Sequence, residues 1–317
     1  MITIEKITKT YNKGQVTALS EVSLEINRGE LFGLIGPDGA GKTTLFRILT
    51  TLLLADQGTA IVNGCDVIKD YAQIRSSVGY MPGRFSLYQD LTIQENLQFF
   101  ATVFGTTIRE NYDLIKDIYQ QIEPFKDRRA GKLSGGMKQK LALCCALIHK
   151  PAVLFLDEPT TGVDVVSRKE FWEMLARLKA EGITIMVSTP YMDEANRCDR
   201  IALIQKGSLL SVNTPAEIIR KFPVALYAVR SANTHKLLRE VKQYPGTESC
   251  FAFGDALHVT LRDGSPGSGL AESPHSPADD GLAEYLHQRG LADAAVEKII
   301  PGIEDCFIHQ MTASWKQ

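Results

Sequence analysis

Gly36-Pro37-Asp38-Gly39-Ala40-Gly41-Lys42-Thr43-Thr44 fits the phosphate-loop pattern G-x-x-x-x-G-K-[ST]. It follows an apolar run, Leu31-Phe32-Gly33-Leu34-Ile35, that reads as a buried strand. It precedes Leu45-Phe46-Arg47-Ile48-Leu49, which reads as the start of a helix. Strand, glycine loop and helix in that order are the context the motif requires. Glycines let the backbone approach phosphate oxygens where a Cβ would obstruct it. The amides of the helix start face the anion along a favourable dipole. Lys42 reaches the β- and γ-phosphates, and the Thr43 hydroxyl is a ligand for Mg²⁺. The stretch predicts a nucleoside-triphosphate site on an α/β scaffold.

Two further segments belong to the same chemistry. Val153-Leu154-Phe155-Leu156 is a second buried-strand run, and it delivers Asp157 and Glu158 at its C-terminal end. In a doubly wound sheet that end lies beside the phosphate loop. Asp157 is then placed to hold Mg²⁺ and Glu158 to polarise an attacking water as general base. Between the two motifs stands Leu133-Ser134-Gly135-Gly136-Met137, ahead of an apolar helical run over 141–148. Ser134 reads as the cap of that helix, and Gly135 and Gly136 leave its first amides open to an anion. One chain thus carries two phosphate-seeking devices and a single lysine-bearing loop.

Composition narrows the class. The 317 residues suffice for about two domains. A hydrophobic content of 44% and a charged content of 23% are those of ordinary globular protein. The net charge of −2 gives no electrostatic case for nucleic acid as a partner. Six cysteines without a C-x-x-C pair read as reduced, buried thiols rather than a zinc or disulfide framework. His235, His258, His275, His287 and His309 show no metal spacing and read as surface or packing residues. No apolar run approaches the ~20 residues of a membrane span, and the first residues alternate like a strand rather than a leader. Any membrane role is expected to come through a partner, with the chain on the cytoplasmic face.

Strand-like and helical patterns alternate over 1–222, which predicts a largely parallel sheet covered by helices. Residues 83–130 are mostly helical in pattern and read as an insertion in that domain. Over 223–317 the order βαββαβ predicts a small ferredoxin-like α+β domain, with a hairpin across Gly254-Asp255. The Gly-, Ser- and Pro-rich stretch 264–280 reads as a mobile loop.

The motif set resembles the nucleotide-binding domain of ATP-binding-cassette (ABC) transporters over about residues 1–220. Residues 133–137 resemble that family's signature sequence, with Met137 in place of the commoner Gln. The resemblance implies that Tyr11 stacks on adenine and that Asp164, in Thr161-Gly162-Val163-Asp164, lies in a loop crossing to a second such domain. It also implies a sandwich of two domains around ATP and Mg²⁺, in which Ser134, Gly135 and Gly136 complete the partner's site. The second domain comes from a homodimer or a heterodimer. With the small C-terminal unit, the chain looks like the first half of tandem ATPases that drive drug exporters of the daunorubicin-resistance type, docked on membrane permeases through about 83–90. Alternatives within the family are a ribosome-associated ATPase and a mainly regulatory ATP-binding subunit.

Two positions depart from the family. After Val78-Gly79-Tyr80-Met81-Pro82 the family carries a Gln that contacts Mg²⁺ and the attacking water; this chain has Gly83. After Ser188-Thr189 the family carries a His that bonds the γ-phosphate; this chain has Pro190, which has neither a side-chain donor nor an N–H. Both losses fall on the chain's own site, which predicts ATP binding with slow hydrolysis there.

Overall fold

The computed structural model describes residues 1–262 and 277–314. In chain order the elements are β1 Ile2–Tyr11, β2 Val16–Ile26, β3 Leu31–Ile35, α1 Lys42–Leu49, β4 Gln57–Val62, β5 Cys65–Asp66, α2 Tyr71–Ser77 and β6 Val78–Met81. Then come α3 Ile93–Val103, α4 Tyr112–Tyr119, α5 Gly135–Leu147, β7 Val153–Asp157, α6 Val165–Ala180, β8 Thr184–Thr189, β9 Arg200–Gln205 and β10 Ser208–Asn213. Last are α7 Pro215–Arg220, β11 Leu226–Arg230, α8 Thr234–Gln243, β12 Thr247–Phe253, β13 Ala256–Leu261, α9 Pro277–Gln288, β14 Ala295–Ile299 and α10 Ile303–Ser314. The chain divides into two units, Met1–Pro215 and Ala216–Gln317. The division falls seven residues before the boundary expected at 222, because Ile218 belongs with the C-terminal unit: its carbonyl accepts from Cys306 Sγ at 3.7 Å.

The first unit is built on a six-stranded sheet of order β10-β9-β3-β8-β7-β6. Its pairings are parallel except for the β9–β10 edge. Covered on both faces, β3, β7 and β8 are buried at every residue, which is why they read as unbroken apolar runs. One feature differs from the expectation of a single largely parallel sheet. β2-β1-β4-β5 form a separate antiparallel sheet. Ile2, Ile4 and Ile7 of β1 are buried while Glu5 and Lys6 are exposed, the one-sided pattern of an antiparallel sheet with a solvated face. α1 joins both sheets: Leu45, Phe46 and Ile48 share one core with Ile2 and Ile4 and with Phe155 and Met186.

Between β6 and β7 the chain carries α3, α4 and α5, the first of which begins only at Ile93. Thr92 and Glu95 form a reciprocal capping box there. α3 and α4 both pack on α5.

The C-terminal unit is a βαββαβ arrangement with strand order β12-β13-β11-β14, antiparallel throughout. The hairpin closes with Phe253 opposite Ala256. Of the loop expected over 264–280, residues 264–276 lie outside the described residues. The last four are not loop but the first turn of α9. Pro277 suits the first helical position, where its fixed φ and missing N–H cost nothing. α10 was not distinguished from the final strand in the sequence; Pro301-Gly302 separates them.

Phe155 has no exposure and meets the Phe46 ring edge-on, centroids 5.9 Å apart. Phe155→Ala is expected to destabilise the Met1–Pro215 unit by about 3–5 kcal/mol, read as a lowered denaturation midpoint. A loss below 1 kcal/mol would mean that this core is not close-packed.

Candidate nucleotide site

The phosphate loop runs from the C-terminal end of β3 into α1, and two backbone constraints explain its glycines. Gly39 and Gly41 have φ of +76° and +105°, where a Cβ is strained. A Cβ on Gly41 would also lie 2.3 Å from the carbonyl oxygen of Ala18, and one on Gly36 would lie 2.2 Å from that of Ile204. No side chain caps α1, so its N-terminal end is left for an anion.

Lys42 is 3% exposed. Its Nζ donates to the carbonyls of Gly36 at 2.8 Å and Pro37 at 3.0 Å, and lies 3.0 Å from Glu158 Oε1. The two carboxylates reach the loop because β7 runs parallel to β8, and β8 to β3. Asp157 is buried and accepts from Ser188 Oγ at 2.7 Å. Glu158 takes a φ of +50°, and its N–H bonds both the carbonyl and the hydroxyl of Ser188, at 3.1 and 3.0 Å. That left-handed turn is what aims Asp157 and Glu158 to different partners. Burial, with the Asp157 charge second, pushes the neighbouring Tyr80 phenol up to about 12.

Gly83 and Pro190 border this same site. A Cβ on Gly83 would lie 3.0 Å from the carbonyl oxygen of Asp157 and 3.8 Å from Glu158 Cβ. Pro190 follows Thr189, whose carbonyl accepts from the Gly36 N–H at 3.3 Å. Tyr11 ends β1 with its hydroxyl 3.4 Å from Thr44 Oγ1, at the start of α1.

Ser134, Gly135 and Gly136 are not part of that cluster. Ser134 is the N-cap of α5, accepting from the Met137 N–H at 3.4 Å. Gly135 packs on the segment leading into α6 and Gly136 on its first turn: added Cβ atoms would meet the Gly162 carbonyl oxygen at 3.3 Å and Ser167 Oγ at 2.8 Å. Asp164 caps α6 by accepting from the Ser167 N–H at 3.0 Å, which holds its carboxyl below the usual range. The next two residues, Val165 and Val166, are 79% and 68% exposed.

The sequence reading missed the groups that brace the site. Ser188 orients both acids. Glu194, 4% exposed, accepts from Thr189 Oγ1 at 2.5 Å and Thr160 Oγ1 at 3.1 Å, tying the segment after Glu158 to the end of β8. Apart from Thr189 to Glu194, five residues apart, these contacts span 30 to 34 residues of sequence, and only the polar ending of an otherwise apolar strand hints at them.

Taken together, these features define a phosphate-loop nucleotide-binding domain with an added helical segment. Residues 19–161 match the family described as "ABC transporter". The "Probable multidrug ABC transporter ATP-binding protein YbhF" of Escherichia coli is 36% identical over 313 residues, covering 97% of this chain and 51% of that protein. The chain therefore spans about half the length of that relative. The "Nod factor export ATP-binding protein I" of Mesorhizobium japonicum is 35% identical over 261 residues, 81% of this chain and 76% of that protein. Among solved structures, a "Dimeric structure of a post-hydrolysis state of the ATP-binding cassette MJ0796 bound to ADP and Pi" matches with a TM-score of 0.61 and 25% identity. It covers 68% of this chain and 98% of that one. The chain belongs to the ABC transporter family.

A Gly39→Ala and Gly41→Ala pair tests the loop geometry. The first has open space around it and is expected to cost about 1–2 kcal/mol for backbone strain alone. The second adds the collision with Ala18 and is expected to cost more and to abolish binding of a fluorescent ATP analogue. Equal losses in the two variants would contradict the crowding described for Gly41.

Proposed function

We propose that the chain is an ATP-binding subunit, or half of one, that powers an ABC exporter, and that its own site binds ATP but hydrolyses it slowly. The observation that carries the second part is the position of Gly83 and Pro190 around Asp157, Glu158 and the phosphate loop. Two groups that would contact the γ-phosphate and the attacking water are missing from one site.

In this reading residues 36–44 cradle the phosphates and Tyr11 meets the adenine. Lys42 leaves Glu158 for the β- and γ-phosphates. Glu158, freed from that pair, takes the proton of the attacking water. Thr43 and the buried Asp157 are hard oxygen donors that suit Mg²⁺, which commonly takes one or two protein ligands and completes its shell with phosphate and water. When bound, it would neutralise charge on the phosphates. Among the described residues no cluster of three or more His, Cys, Asp or Glu could hold a metal without such help.

Ser134, Gly135 and Gly136, outside the cluster, are free to act on the ATP of a second ABC domain, with Asp164 in the loop that crosses to it. The exposed Val165 and Val166 beside that loop support a partner there. Among the described residues no helix is long and apolar enough to cross a membrane. We therefore assign the export path to permease partners, with this chain held peripherally on the cytoplasmic face. A cavity of about 200 Å³ lined by Met81, Leu87, Phe100 and Phe104 opens between the end of β6 and the helices α3 and α5. It adjoins 83–90 and supports docking of a permease segment there. The names of the export-related relatives support the exporter class. The accessory role of residues 223–317 is proposed only as that of a separate small domain.

Steady-state turnover of the purified chain, alone and with a partner ABC domain that carries both Gln and His, tests the reading. Loss of one preorganised donor costs about 10²–10³ in rate, so turnover alone should be slower than the partner site by at least that factor. Glu158→Gln should remove what remains and keep ATP bound. Pro190→His should raise the rate. It is a cleaner restoration than Gly83→Gln, whose Cβ must push against the Asp157 carbonyl. Fast turnover by the chain alone would sink the proposal.

A further inference from the structure

The sheet of the C-terminal unit has two unlike faces. Ser249 pairs with Thr260 and Phe251 with His258, so these four share one face, while Cys250, Leu257 and Val259 lie on the other. The second face is an ordinary core: Leu257, Val259 and Leu261 pack with Leu237 and Val241 of α8 and Leu282 and Leu286 of α9. The first face meets α10, and there buried polar groups stand beside the apolar Leu226 and Ala228. Thr260 is 3% exposed, its hydroxyl 2.7 Å from Ser249 Oγ. His258 Nδ1 lies 2.7 Å from Asp305 Oδ1, and its ring stacks on Phe253.

Close packing does not require polar groups on a covered face, and this face is not closely packed. A cavity of about 510 Å³ opens over it, within the size range of small-ligand sites. Ser249, Phe251, Thr260 and His309 line the cavity and also a smaller recess that ends at His258 and Asp305. Lys242 and Arg262 stand on its rim, and neither side chain has an ion-pair partner among the described residues. Glu248 is also on the rim and holds an interaction of its own. The arrangement offers two cations without an ion-pair partner among the described residues, an aromatic surface and a hydroxyl pair with hydrogen-bonding capacity to spare.

We propose that this cavity binds a small aromatic carboxylate. The carboxylate faces Lys242 and Arg262, and the ring lies against Phe251 and His309. The site is built from residues of the C-terminal unit alone and does not depend on the transport reading.

Isothermal titration of the full chain with salicylate, and with salicylamide as its neutral counterpart, tests this. Salicylate is expected to bind saturably, with salicylamide at least about tenfold weaker. Lys242→Ala and Arg262→Ala should each weaken salicylate about tenfold while leaving circular dichroism and binding of a fluorescent ATP analogue unchanged. Absence of salicylate binding up to ~10 mM would overturn the proposal. So would equal binding of the two probes, or variants that bind salicylate as tightly as the parent.

Discussion

The ammonium of Lys42 is withdrawn from water and must be satisfied by what surrounds it. A buried cation without partners costs several kcal/mol, and removing one partner of a buried pair costs about 3–5 kcal/mol. Here the partners are the carbonyls of Gly36 and Pro37 and the carboxylate of Glu158. That requirement sets much else. The loop has to curl around the lysine, which forces positive φ at Gly39 and Gly41. Glu158 has to point inward from the end of β7, which its own positive φ and the double grip of Ser188 allow. The parallel register of β3, β8 and β7 brings the three strand ends level.

The same arrangement makes the site a competition. In the proposed function a γ-phosphate and Glu158 both seek Lys42, and the carboxylate lets go before it serves as a base. In a complete family site a Gln and a His would help to hold the phosphate and the water during that exchange. Gly83 leaves backbone and Glu158 Cβ as its nearest neighbours, and Pro190 has no N–H to offer. In the proposed function binding and hydrolysis are separable: the phosphate loop is whole, while Gly83 and Pro190 withhold the groups that would position the water.

What the sequence revealed depends on the range of each interaction. The loop over 36–44, the acids after 153–156 and the cap at Ser134 are local patterns, set by φ angles, burial and capping within a few residues. The antiparallel β2-β1-β4-β5 sheet was less visible, because half-exposed strands near a parallel sheet carry only a weak alternating signal. Ser188 and Glu194 were invisible as site residues, since the contacts that bring them to the acids, with Asp157 and Thr160, cross 31 and 34 residues. His149 escaped notice beside five scattered histidines. It bonds the Val78 carbonyl at 3.0 Å and stacks on Phe104, and its burial holds its pKa down. The polar groups on one face of the C-terminal sheet emerged only when register showed which residues of β12 and β13 share a side.

The most direct measurement is a rapid-quench experiment on the purified chain preloaded with ATP and Mg²⁺, following the chemical state of the bound nucleotide. The account predicts that the chain retains tightly bound ATP, still unhydrolysed after many seconds, while the Pro190→His variant converts it sooner. Ordinary enzymes turn over about ten times each second. Conversion of the bound ATP to ADP within one second in the unaltered chain would contradict the separation of binding from hydrolysis.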